Sequence, residues 1–91
     1  EYPVQDGDLD GSWGVLDEPY LQHFAKTLSE VKAPFVATLF TLSSHQPYPV
    51  PAHLKENFPD GTLAIHESIG YTDFALKRFF EAAQEKPWYK D

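Results

Sequence analysis

The side chains of this sequence able to do chemistry are histidines, carboxylates and hydroxyls, because no cysteine is present. Thiolate nucleophiles, thiolate zinc sites and disulfides are thereby excluded, and the redox compartment is left open. His45 stands out by position. It follows Ser43 and Ser44 at the end of the apolar run Phe35, Val36, Ala37, Leu39, Phe40 and Leu42. Such a run suits a strand covered on both faces. In open α/β sheets the crevice beyond the carboxyl ends of the strands is where ligands bind. The plainer alternative is a loop histidine that caps carbonyls or faces solvent. Ser43 and Ser44 lack the G-x-S-x-G setting of a nucleophile elbow and read as polar strand-end residues.

Two metal patterns compete for attention. His45, His53 and His66 could suggest zinc, but their separations fit no standard spacing, and His66-Glu67-Ser68-Ile69-Gly70 has glycine where a second ligand would stand. His23 reads as a surface residue. Asp6-Gly7-Asp8-Leu9-Asp10-Gly11 reproduces the first half of a calcium loop, with oxygens at alternate positions and glycine at the turn. The second half fails: position twelve is Asp17, too short to act in the bidentate manner of the usual glutamate. Asp6, Asp8, Asp10 and Asp17 are therefore a weak calcium loop at most, and a solvated acidic turn is the favoured reading.

The elements that must position these groups follow from periodicity and breakers. Residues 1–16 are rich in turn formers and read as an acidic loop. Asp17 is expected as an N-cap and Pro19 as a first-turn residue, with Leu21, Phe24, Ala25, Leu28 and Val31 at helical spacing to Pro34. That predicts a helix over 17–32, then a strand over 35–43 with Phe40 buried in it. The alternating Pro47, Pro49 and Pro51 make 44–61 a stiff loop, against which Tyr48 should pack, with a short helix opening at Pro51. Ile65, Ile69, Thr72, Leu76, Phe79, Phe80 and Ala83 predict a second helix over 62–86, weakened at Gly70 and stopped by Pro87. Trp88 and Tyr89 are left with nothing in the remaining residues to cover them.

One strand between two helices makes no sheet, and its backbone groups need partners on both sides. Three resolutions stand: weak strands in the loops, pairing with another chain, or excision from a larger α/β protein, of which the last is favoured. The 91 residues allow one small unit at most. Fourteen acidic residues against seven basic ones give a net charge of −7, which repels nucleic acid and anionic membrane surfaces. No stretch approaches the length of a membrane span, and the acidic start is unlike a signal peptide.

WGVLDEPYL (Trp13 to Leu21), APFVATLFTLSSHQPY (Ala33 to Tyr48) and GYTDFALKRFFEAAQEKPWYKD (Gly70 to Asp91) together resemble the lipoteichoic acid synthase and phosphoglycerol transferase branch of the sulfatase family, within the alkaline phosphatase superfamily. The resemblance covers nearly the whole chain in the right order and spacing. It implies an internal piece of an α/β/α sandwich from an enzyme several times longer. That enzyme would act on sulfate or phosphate esters through a nucleophile bound to divalent metal (Mn, Mg, Ca or Zn), supplied by segments this chain lacks. No cofactor is expected in the piece itself, which should be inactive alone. The resemblance assigns His45 to hydrogen bonding of the substrate phosphate or sulfate. Gln46, where histidine or an aromatic residue is more usual, puts the head group in question. Its implied partners are the remainder of the catalytic domain and the ester substrate, and the parent would sit at the cytoplasmic membrane with its catalytic domain outside, the piece itself being soluble. The competing reading is an autonomous acidic interaction domain, calcium-binding or not, that forms a homo-oligomer through strand edges.

Overall fold

Two helices carry the chain, and the computed structural model describes residues 2–90, so that Glu1 and Asp91 lie outside the described residues. Helix α1 spans Asp17–Leu28 and helix α2 spans Ile65–Ala83. Both are shorter than the expected 17–32 and 62–86. Beyond Leu28 the amides of Ser29, Glu30 and Val31 bond three residues back, so the last turn tightens and the α-helix stops before Pro34 is reached. Short 3-10 segments follow at Ala52–Asn57 and Pro87–Lys90.

The helices meet through small residues. Ala25 of α1 and Ala75 of α2 are fully buried, with Leu21 and Leu28 on one side and Tyr71 and Ala83 on the other, and Phe24 stacks on Phe79 at 6.1 Å. The buried line of α2 is thus Ser68, Tyr71, Ala75 and Ala83. Ile69, Leu76 and Phe80, expected within the apolar stripe, are half exposed on the other side. The helix is apolar around more of its girth than one partner helix can cover. Gly70, expected as a weak point, is where Phe58 lies against the helix: a Cβ added there would stand 3.0 Å from the Phe58 Cβ.

No strand forms at 35–43 among the described residues, a correction to the α/β reading. Residues 35–42 run without helix, bridge or bend, and no backbone–backbone hydrogen bond reaches 35–41. A ribbon without neighbours has no ladder to join, so an apolar run sufficient for a central strand yields only an unpaired segment. Val36 is 97% and Phe40 81% exposed, contrary to the expected burial of Phe40. Among the described residues one β-bridge forms, pairing Leu9 with Val15 across the acidic loop. Trp88 is better covered than expected: its indole N–H donates to Ser29 Oγ at 3.0 Å and its ring meets Phe35 edge-on.

Candidate functional site

The end of the ribbon is fixed by Asp17. Leu16, not Asp17, is the N-cap of α1, and Asp17 is its first helical residue, only 1% exposed. Its carboxylate does not cap its own helix but crosses to the ribbon. Oδ1 accepts the N–H groups of Leu42 and Ser43 at 3.1 and 3.0 Å, and Oδ2 accepts the Thr72 hydroxyl at 3.2 Å. Ser43 answers by accepting the Asp17 N–H on its Oγ at 2.9 Å. From α2, Ser68 donates to the Ser43 carbonyl at 2.6 Å, and the Ser44 and Thr72 hydroxyls lie 2.9 Å apart. A buried carboxylate is tolerable because hydrogen bonds to the charged form replace its water. Ser43 and Ser44 are therefore fasteners between the ribbon and both helices. The Tyr71 hydroxyl accepts the Glu18 N–H at 3.0 Å; burial pushes this phenol well above its usual range, and the nearby carboxylates of Glu18, Asp17 and Asp8 add to the rise against that single N–H bond.

Immediately after this clamp the backbone turns and presents His45 to solvent. His45 N–H bonds the Leu42 carbonyl and Tyr48 N–H the His45 carbonyl, with Tyr48 in the left-handed region at φ 61°. Trp13, His45, Gln46, Pro47, Tyr48 and Ala64 line an open cleft of about 490 Å³. Trp13 arrives from the acidic loop. Its ring meets His45 at 4.4 Å with planes 60° apart, and its indole N–H donates to the Gln46 carbonyl at 2.7 Å. The same carbonyl lies 2.9 Å from His45 Nδ1. Trp13 was not among the residues expected at the site, and nothing in its local sequence signals a contact across 33 positions.

The four aspartates of the candidate calcium loop are not brought together. Asp8 accepts the Tyr2 hydroxyl at 2.5 Å and the Gln5 N–H at 2.8 Å. Asp10 Oδ1 accepts the N–H groups of Ser12, Trp13 and Gly14 at 2.7 to 3.0 Å. Burial pushes the Asp10 carboxyl up, but those three N–H bonds outweigh it and hold the group below its ordinary value. Asp17 is committed to the ribbon. Asp6, Asp8 and Asp10 do line a pocket of about 550 Å³ with Glu18 and His53, facing the proline loop. Yet no group of three histidine or carboxylate side chains among the described residues could hold a metal ion. The three candidate histidines are equally dispersed: His66 Nδ1 accepts the Thr62 and Leu63 N–H groups ahead of α2, while His53 lies in a different pocket from His45. No described helix is long and apolar enough to cross a membrane.

Comparison with known proteins bears on what this arrangement serves. The chain is 27% identical over 85 residues to a lipoteichoic acid synthase-like protein, YvgJ, of Bacillus subtilis strain 168, covering 88% of this chain and 14% of that protein. It is 32% identical over 81 residues to lipoteichoic acid synthase 1 of the same organism, covering 84% of this chain and 13% of that protein. The chain thus spans about a seventh of the curated relatives it matches. No solved structure matches. The Sulfatase family model matches residues 1–91, end to end, and the chain belongs to that family.

Proposed function

We propose that this chain is an internal segment of a sulfatase-like or phosphoglycerol-transferase-like enzyme acting on sulfate or phosphate esters, in which His45 contacts the anionic group of the substrate. The observation that carries this reading is the family match across residues 1–91, which takes in the segment ending at His45. His45 is exposed on the wall of an open cleft, and the buried clamp at Asp17 and Ser43 fixes the backbone two residues before it. A rigidly held side chain loses little freedom on meeting substrate.

Members of this family are generally metal-dependent, but no group of side chains among the described residues fits a metal. Its ligands and the nucleophile belong to other parts of the full-length enzyme. What this segment supplies is a contact to charged oxygen atoms during transfer. The rest of the domain supplies strands that cover Val36 and Phe40. We also propose that the full-length protein works at the cytoplasmic membrane with this domain outside, as the family resemblance implies.

The test is His45→Ala in the full-length enzyme, assayed on phosphate and sulfate esters with metal content measured alongside. Turnover is expected to fall about 10²-fold, the scale of one lost oxyanion contact, with bound metal unchanged. Unchanged turnover overturns the assignment.

A further inference from the structure

Trp13 and His45 share one acceptor. The Trp13 indole N–H donates to the Gln46 carbonyl at 2.7 Å, and His45 Nδ1 lies 2.9 Å from the same oxygen. A carbonyl oxygen has two lone pairs and can only accept, so both bonds form together only if His45 carries its proton on Nδ1. Trp13 is 57% exposed and contributes nothing to the core between the helices. It is nonetheless held at both ends: its backbone N–H is one of three gathered by Asp10 Oδ1, and its indole is fixed by Gln46. An exposed indole could bond water equally well. Here it is spent on the carbonyl that orients the histidine, and its ring lies against the imidazole with centroids 4.4 Å apart.

We propose that Trp13 is a positioning residue for His45: acting through the Gln46 carbonyl, it holds the imidazole in its Nδ1–H tautomer and leaves Nε2 as the nitrogen offered to substrate. The inference rests on the reading of His45 as a substrate contact and refines what that contact is. In this tautomer Nε2 is bare and repels an anionic oxygen, so the contact with the substrate's phosphate or sulfate is made when the ring takes a second proton there and donates it. Histidines whose second nitrogen is fixed by a carbonyl are oriented in the same way at other sites.

The experiment is nitrogen NMR of the full-length enzyme labelled at histidine, with the His45 resonances assigned by their loss in His45→Gln, beside steady-state kinetics. In the unaltered protein at neutral pH, His45 should show Nδ1 protonated and Nε2 bare; the reverse overturns the proposal whatever Trp13→Phe does. Trp13→Phe keeps a ring edge but removes the N–H. It should shift His45 toward the other tautomer and lower kcat about tenfold, with KM changed far less. An unchanged tautomer in Trp13→Phe overturns the proposal. A tautomer shift in Trp13→Phe together with full turnover in His45→Gln supports the positioning and overturns only the reading of His45 at the substrate.

Discussion

Asp17 shows what a single residue can do that its neighbours in sequence do not announce. An aspartate one position before Glu18 and Pro19 reads as a helix cap, and the helix does begin there. Its carboxylate, however, is used 25 and 26 positions away, on Leu42 and Ser43. Only the tertiary structure can reveal that use, because local capping and long-range clamping employ the same residue type. Asp17→Ala would leave the Leu42 and Ser43 N–H groups without this partner, at about 1 to 3 kcal/mol for the buried Ser43 donor and less for the part-buried Leu42 donor. Asp17→Asn keeps an oxygen for both and should cost distinctly less. Thermal unfolding of the two variants, with hydrogen exchange at the Ser43 amide, checks this; equal losses would show that charge, not the acceptor, matters. That the chain turns out to solvent at His45 was legible, since the apolar run stops at Leu42. Trp13 was not, since its partner is a backbone carbonyl, and any residue supplies one.

At the scale of elements, the two helices were readable from 3.6-residue spacing, and their ends were not. The spacing identifies that a face is apolar without saying which apolar residues a partner covers. In α2 the small and polar residues Ser68 and Ala75 took the buried line, while Ile69 and Leu76 did not. Ser68 is buried where it bonds the ribbon at Ser43, and the large Tyr71 is fully buried on the same line, so position around the helix and not side-chain bulk decides which residues are covered. Gly70 illustrates the same logic. Alanine would gain about 0.8 to 1 kcal/mol in helix propensity. Its Cβ would press on Phe58, whose ring also packs on Tyr71 and Phe74 at 6.2 and 5.9 Å. Gly70→Ala is therefore expected to lower stability by about 1 kcal/mol net, read from the denaturant midpoint. A rise in the midpoint would mean that Phe58 can retreat freely.

For the whole molecule, the strand is the instructive failure. Its sequence states that both faces are suited to burial, but a strand is a property of at least two segments. Within residues 2–90 the second segment does not exist, so Val36 and Phe40 remain bare. Phe40→Ala should accordingly cost under about 0.5 kcal/mol in this chain alone, as surface changes do. In the full-length enzyme, where we propose that neighbouring strands cover it, the loss should reach about 3 to 5 kcal/mol. Equal small losses in both settings would show that nothing covers this face.

The Asp17 clamp acts on more than the two amides it holds. Side chains of an extended segment alternate between faces, so pinning Leu42 and Ser43 to the first turn of α1 also decides, by counting backwards, which way Leu39 and Phe40 point. A slip of one residue would exchange the two faces along the entire ribbon. The clamp therefore works as an index mark: an incoming strand would find the ribbon already in register, with His45 emerging at a set distance beyond its edge.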